Sequence, residues 1–141
     1  MIRLAVDASV LVAESLRSRG LALIANTELE LFIATPAWSE ALHELRRRLL
    51  IMEARGRFSV GLSERAFHET VDALRRRITR VPEAEYAIHE PAARKRIPRD
   101  PNDWPTVALA LALDAAIWTS DYDFFGCGVA TWTTETLLAQ V

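Results

Sequence analysis

The sequence has 141 residues, of which 50% are hydrophobic and 26% are charged, and its net charge is -2 at pH 7. This composition is typical of a soluble globular protein, and its single cysteine, Cys127, excludes an internal disulfide. The longest apolar run, residues 107–113, is too short for a membrane span, and no signal pattern precedes Asp7, so we expect a cytoplasmic protein.

The charges are unevenly distributed along the chain. Residues 1–99 hold all 17 Lys and Arg with 13 Asp and Glu, whereas residues 100–141 hold six acids and no Lys, Arg or His. Carboxylates brought together in a fold need protons, solvent or cations to offset their repulsion. The acids of the last third therefore either lie apart in water or are neutralised by a divalent metal or by arginines from the first 99 residues.

The first half of the sequence alternates between strand and helix patterns. In chain order it predicts a strand at 2–7, a helix at 9–26, a strand at 30–35, a helix at 36–55, a helix at 63–78 and a strand at 79–81. The helices are indicated by apolar residues at three- and four-residue spacing. Pro36 suits the first turn of its helix, and the helix at 9–26 is expected to break near Arg19 and Gly20.

The second half continues this alternation. It predicts a helix at 84–96 interrupted at Pro91, a loop at 97–102, a helix at 103–113, strands at 116–119 and 129–132, and a final helix at 134–140. Asp103 can cap its helix, which should be buried because residues 107–113 are apolar nearly all round. The whole pattern predicts one continuous α/β domain over residues 1–141, with a parallel sheet covered on both faces.

The predicted sheet brings acidic residues to one edge. In open parallel sheets the functional crevice lies beyond the carboxyl ends of the strands. Asp7 ends the first strand, Asp121 follows the fourth, and Asp103 begins a helix at the same edge. Glu40 lies early in the helix after the second strand, although the apolar periodicity of that helix alone would place it toward solvent. We therefore expect four carboxylates to meet at this edge.

These acids stand in segments that resemble the PIN-domain family, small ribonucleases that include the VapC-type toxins of toxin–antitoxin pairs. In order, the segments are Val6-Asp7-Ala8-Ser9-Val10-Leu11, Ser39-Glu40-Ala41, Arg99-Asp100-Pro101-Asn102-Asp103 and Trp118-Thr119-Ser120-Asp121-Tyr122-Asp123-Phe124. The resemblance spans essentially the whole chain and implies a three-layer α/β/α sandwich with a central, mainly parallel sheet of four or five strands. One departure is Asp114, where such proteins often have glycine, but Asp tolerates the left-handed conformation of that turn.

The resemblance also implies the chemistry of the site. Its acids would bind Mg²⁺ or Mn²⁺ and activate a water for phosphodiester hydrolysis, since hard divalent ions prefer carboxylate oxygens. The implied metal-binding and catalytic residues are Asp7, Glu40, Asp103 and Asp121, and the implied supporting residues are Asp100, Asp123, Ser9 and Ser120. Asp100 and Asp103 both stay open as the direct ligand, and Asp103 is preferred because it lies at the helix start.

An RNA substrate requires positive and aromatic surface near the acids. Basic clusters at 46–48, 75–77 and 94–96 are candidates, with solvated ion pairs as the ordinary alternative. Trp38, Trp104 and Tyr122 lie next to site residues, where they either stack on bases or pack in the core. The resemblance further implies a small antitoxin protein as partner and is compatible with a homodimer, with no membrane partner expected.

Each acid also has a structural alternative. Asp7 and Asp103 could cap helices, and Asp121 could serve only its turn. A phosphoacceptor receiver domain also gathers acids at a sheet edge, but the only lysine, Lys95, precedes the third acid, which disfavours that class. A catalytically silent PIN-like module that binds RNA or protein remains an alternative to the nuclease.

Overall fold

Five strands form one fully parallel sheet in the computed structural model, which describes all 141 residues. The strands are β1 (Ile2–Val6), β2 (Leu29–Ala34), β3 (Ile78–Val81), β4 (Ala116–Trp118) and β5 (Thr131–Trp132). Their order across the sheet is β3-β2-β1-β4-β5, and β1 aligns Leu4 with Leu31 on one side and with Ala116 on the other. The predicted α/β fold with a parallel sheet is confirmed.

Seven helices connect and cover these strands. They are α1 (Ala8–Ser15), α2 (Ser18–Ala25), α3 (Thr35–Ala54), α4 (Leu62–Arg77), α5 (Glu90–Arg96), α6 (Trp104–Leu113) and α7 (Thr134–Gln140). Helices α1 to α4 pack against one another, and α5 packs against α6. Because parallel crossovers are right-handed, the reversal of strand order after β3 places α5 and α6 on the opposite face of the sheet. The result is a three-layer sandwich with β1 at its centre.

The core is densest where α6 covers the central strands. Val107, Ala108, Leu109 and Ala110 are buried, which confirms the prediction that this nearly uniformly apolar helix lies inside. Trp118 of β4 is fully buried, and its indole Nε1 donates a 3.1 Å hydrogen bond to the hydroxyl of Thr134. None of the helices combines the length and hydropathy that crossing a bilayer requires.

The predicted break in the first helix was misplaced. Helices α1 and α2 are separated at residues 16–17, and Gly20 lies inside α2 rather than at a break. A Cβ at Gly20 would overlap the backbone carbonyl and the Cβ of Glu14. The glycine therefore permits close approach between α1 and α2, and it does not end a helix.

Proline at position 91 also has a different role from the predicted one. Residues 83–89 form two short 3₁₀ turns, and Pro91 lies in the first turn of α5 instead of interrupting a longer helix. Proline suits a first turn because its missing N–H would have no partner there. Asp114 adopts the left-handed conformation, with φ 50° and ψ 48°, as expected for the turn before β4.

Candidate active site

A cleft of about 60 Å³ lies beyond the carboxyl ends of the central strands, between the first turns of α3 and α6. Nine residues line it: Asp7, Ala8, Pro36, Ala37, Glu40, Asn102, Asp103, Pro105 and Thr106. Three of the four predicted acids, Asp7, Glu40 and Asp103, thus share one cleft. They meet because β1 ends next to Asp7 while α3 and α6 both begin at this edge.

Asp7 is the most buried of the four predicted site acids, with 7% of its surface exposed. It occupies the residue before α1, where its side chain makes no close capping hydrogen bond. Its Oδ2 instead accepts a 2.9 Å hydrogen bond from the hydroxyl of Thr119, which follows β4. The carboxylate is therefore tied to the neighbouring strand, and the backbone N–H of Ser9 in α1 also lowers its pKa.

Asp121 is connected to Asp7 through this same hydroxyl. The Thr119 oxygen accepts a 2.9 Å hydrogen bond from the backbone N–H of Asp121. Asp121 Oδ1 in turn accepts from the backbone N–H of Asp123 at 2.9 Å, so it also serves the short 3₁₀ turn at Tyr122–Phe124. Asp121 can stabilise the turn and also belong to the site, because the turn uses only one of its two carboxylate oxygens.

Burial raises the pKa of Asp7 to about 6 from its ordinary value of 3.8, against the opposing effect of the Thr119 hydrogen bond. The negative charges of Asp121 and Glu40 raise the Asp7 pKa further. The charge of one carboxylate raises the pKa of another only when the two lie close together in the fold. All three side chains therefore belong to one electrostatic cluster.

Asp103 is half-buried at the start of α6, and its side chain makes no capping hydrogen bond. Burial raises the pKa of Asp103 to about 7, and the charge of Asp100 is the next largest cause. The charges of Asp7 and Glu40 contribute in the same direction. Asp100 thus lies beside Asp103, although it does not line the cleft itself.

No basic side chain neutralises this acidic cluster. None of Asp7, Glu40, Asp103 and Asp121 forms an ion pair with Lys, Arg or His, so the arginine alternative is not observed at the cleft. No three carboxylates lie close enough together in this structure to bind one metal ion directly. An uncompensated set of oxygen donors fits a hard divalent ion.

The remaining supporting residues lie around the cleft rather than in its lining. Ser9 lines a neighbouring groove of about 280 Å³ between α1 and α3, which shares Glu40 with the cleft. Ser120 is exposed to solvent. Asp123 lies 3.9 Å from the guanidinium of Arg99. Glu40 itself is exposed, as its helical periodicity predicted, and still faces the cleft.

Sequence reasoning missed two hydroxyl residues. Thr119 is fully buried at the end of β4, and its position two residues before Asp121 was the available signal, because a buried hydroxyl needs a partner. Thr106 lines the cleft one helical turn after Asp103, and the three-residue spacing on a helix would have placed both on one face.

Most of the arginines in the basic clusters have structural partners. Arg47 and Arg48 bind Glu44, Arg46 binds Glu64, and Arg94 binds Glu90. The guanidinium of Arg77 donates to the backbone carbonyls of residues 24, 26 and 29. These side chains are therefore already engaged in contacts within the fold, which favours a structural role over RNA binding.

The aromatic candidates separate into two groups. Trp38 and Trp104 are each 7% exposed. They are therefore packing residues, and their rings are not accessible for a base to stack on. Tyr122 is 78% exposed, next to Asp121. Of the three predicted aromatic residues, Tyr122 alone offers an open ring.

Comparison with known proteins agrees with this architecture. The family model described as "PIN domain" matches residues 5–141. The crystal structure of FitAcB from Neisseria gonorrhoeae is similar in fold, with a TM-score of 0.58 and 19% sequence identity over 96% of this chain and 99% of that one. No curated protein matches this chain significantly.

Proposed function

Because this chain belongs to the PIN-domain family, we propose that it is a divalent-metal-dependent endoribonuclease that hydrolyses RNA phosphodiester bonds. The observation that carries the proposal is the shared cleft of Asp7, Glu40 and Asp103, which no basic side chain neutralises. The hydrogen-bonded link from Asp7 through Thr119 to Asp121 adds the fourth acid. PIN domains are generally metal-dependent nucleases, and this acid set suits that chemistry.

The residues that would hold Mg²⁺ or Mn²⁺ are Asp7, Asp103, Asp121 and Glu40. When bound, the metal supplies Lewis-acid activation of water and stabilises charge on the phosphodiester oxygens. The Thr119 hydroxyl fixes the orientation of Asp7. Glu40 is the most solvent-accessible carboxylate of the cleft, and we assign it to orient the attacking water and accept its proton. Asp100, beside Asp103, would add negative charge that attracts the cation to the cleft.

We further propose that the protein is the toxin of a toxin–antitoxin pair and acts in the cytoplasm, with RNA as its substrate. This assignment rests on the resemblance of its four acidic segments to VapC-type toxins. A small antitoxin protein would be its partner, and a homodimer is compatible with the fold. Co-expression with the product of an adjacent small reading frame tests the pair: the two should copurify and the cleavage activity should fall.

The nuclease proposal is tested by cleavage of a labelled single-stranded RNA with Mn²⁺ or with EDTA. Wild-type protein is compared with Asp7→Asn, which keeps an oxygen that can accept the Thr119 hydrogen bond. We expect cleavage by the wild type only with Mn²⁺, and a loss of at least about 100-fold in the variant, because a metal ligand is removed.

Equal, metal-independent degradation by both proteins would indicate a contaminating ribonuclease and would remove the catalytic claim. Calorimetric titration with Mn²⁺ separates the remaining cases. Absence of binding heat, together with unchanged thermal stability, would favour the catalytically silent RNA- or protein-binding module.

A further inference from the structure

A second cleft, of about 240 Å³, combines basic and aromatic side chains beside the acidic one. Seven residues line it: Arg96, Pro98, Arg99, Tyr122, Asp123, Phe125 and Gly126. It lies between the segment that follows α5 and the turn that follows β4. Its two arginines outnumber its one carboxylate, so the cleft carries a net positive charge in a region otherwise rich in acids.

The aromatic wall of this cleft is exposed and oriented. Tyr122 is 78% exposed, and Phe125 is 39% exposed. Their rings contact each other edge to face, with centroids 5.4 Å apart and an interplanar angle of 77°. The contact restrains the Tyr122 ring while leaving a face open, which lowers the entropic cost of stacking a flat ligand on it.

The two arginines are held to different degrees. Arg96 Nη1 donates a 3.0 Å hydrogen bond to the carbonyl of Cys127, and a side chain at Gly128 would collide with this guanidinium. Arg99 is 80% exposed, and its nearest carboxylate, on Asp123, is 3.9 Å away. Arg96 is thus a positioned donor with N–H groups to spare, and Arg99 is an exposed donor with only one distant ion-pair partner.

The chain connects this cleft directly to the acidic site. Arg99 immediately precedes Asp100, and Tyr122 immediately follows Asp121. The backbone N–H of Asp123, in the same turn as Tyr122, donates to the Asp121 carboxylate at 2.9 Å. An RNA strand bound in this cleft would therefore extend toward the acidic cleft, where the proposed hydrolysis takes place.

We propose that this cleft, which we name the Tyr122 subsite and define by Arg96, Arg99, Tyr122 and Phe125, binds one unpaired nucleobase of the substrate RNA and its adjoining phosphate. The base stacks on Tyr122, and the phosphate binds Arg96 and Arg99. Aromatic rings with flanking arginines bind single-stranded nucleic acid by this combination of stacking and charge. The inference rests on the proposed function, because it takes the bound RNA to be the substrate of the nuclease.

Binding in EDTA tests the subsite independently of cleavage, because the proposed reaction needs a metal. The probe is a fluorescently labelled single-stranded RNA of about 12 nucleotides, followed by anisotropy. We expect Tyr122→Ala to weaken binding about tenfold and Tyr122→Phe to stay within about twofold of wild type, because stacking uses the ring and not the hydroxyl. Arg99→Ala should weaken binding and lower the dependence of log affinity on log salt by about 1.

Two matched controls remove exposed side chains elsewhere. Ile88 is 85% exposed and Arg65 is 74% exposed, so Ile88→Ala and Arg65→Ala should bind like the wild type. A second probe, an abasic strand of the same length, distinguishes the two contacts. Tyr122→Ala should not change its affinity, whereas Arg99→Ala should, because the abasic strand keeps its phosphates and lacks bases.

Unchanged RNA affinity in both Tyr122→Ala and Arg99→Ala would overturn the proposal and would leave the cleft as a surface for a protein partner. Failure of the wild type to bind the RNA in EDTA would overturn it as well. Neither result decides the nuclease proposal, which depends on Mn²⁺-dependent cleavage and on Asp7. Loss of cleavage in Asp7→Asn with intact Tyr122-dependent binding would support both.

Discussion

The hydroxyl of Thr119 donates a 2.9 Å hydrogen bond to the carboxylate of Asp7, across 112 residues of sequence. The same hydroxyl oxygen accepts the backbone N–H of Asp121. One fully buried side chain thus joins the ends of β1 and β4 and orients two of the four acids. Its removal should affect both stability and the site.

Replacement of Thr119 by Val keeps the shape of the side chain and removes the hydroxyl. We expect a loss of about 1–3 kcal/mol in the free energy of unfolding, because a buried acceptor and a backbone donor lose their partner. Loss of the hydrogen bond that lowers the Asp7 pKa should also raise that pKa and weaken Mn²⁺ binding near neutral pH. Urea unfolding and calorimetry measure the two effects. Thr119→Ser restores the hydroxyl, and equal Mn²⁺ affinity in the Val and Ser variants would contradict this role.

The ionisation of Asp7 should lower the stability of the metal-free protein as the pH rises from about 4 to about 6. The folded protein keeps a proton on Asp7 up to its pKa of about 6, whereas the unfolded chain releases it near 3.8. Folding is therefore favoured by protonation, and ionisation of the buried group costs up to about 3 kcal/mol above pH 6. Urea unfolding in EDTA at several pH values measures this dependence.

Asp7→Asn isolates this contribution from the other titrating groups. The neutral amide should make the metal-free variant more stable than the wild type at pH 7.5, and the two proteins should converge near pH 4. Parallel stability curves for both proteins over the whole range would show that Asp7 does not carry the pH dependence.

Asp100 and Asp103 should differ in their effect on cleavage. Asp103 lines the cleft and Asp100 does not, so Asp103→Asn should abolish detectable activity, and Asp100→Asn should reduce it by about 10- to 100-fold as an indirect support. Single-turnover cleavage with saturating Mn²⁺ measures both. Asp72→Asn, on the exposed surface of α4, is the matched control. A larger loss of cleavage activity in Asp100→Asn than in Asp103→Asn would make Asp100 the direct ligand and Asp103 the supporting acid.

Gly20→Ala should destabilise the fold without affecting the chemistry of the site. The added methyl group would overlap the carbonyl of Glu14, and separating α1 from α2 should cost about 1–3 kcal/mol. Ala22→Ser, at an exposed position of the same helix, controls for a change of one small residue. A Gly20→Ala protein as stable as the wild type in urea would mean that the helices separate without cost.

Arg77 should act on stability, and its neighbour Arg76 should not. Arg77 donates to three backbone carbonyls near the start of β2, at distances of 2.9–3.2 Å, whereas the exposed Arg76 has no such contacts. We expect Arg77→Ala to cost about 2 kcal/mol or more, because several charge-assisted hydrogen bonds are lost. Thermal unfolding compares the two variants. If Arg76→Ala were equally destabilising, the cause would be the lost charge of the helix end and not the hydrogen bonds.

The order of elements and the edge at which the acids meet were predictable from sequence, because local periodicity encodes them. Asp7 ends an apolar strand and Asp103 begins an apolar helix, and parallel topology places both positions at one edge. The left-handed turn at Asp114 was expected from the family resemblance, in which this position often carries glycine. Asp121 reaches the cluster through Thr119, and that connection was not predicted.

What sequence reasoning missed depends on contacts between distant residues. Gly20 reads locally as a helix break, but its function is set by the proximity of Glu14 on another helix. Arg96 and Tyr122 look like members of separate segments, and only the fold places them in one cleft. The burial of Trp38 and Trp104 likewise follows from tertiary packing, which overrides the suggestion made by their position beside site acids.

The strand order β3-β2-β1-β4-β5 has a consequence for the order in which the proposed site is assembled during synthesis. The first three strands are neighbours both in the chain and in the sheet, so the emerging polypeptide can assemble this half first. Asp7 and Glu40 are then present without Asp103 and Asp121, which are translated later. Under the proposed function, a nascent chain is harmless to the messenger RNA that encodes it until β4 has joined β1.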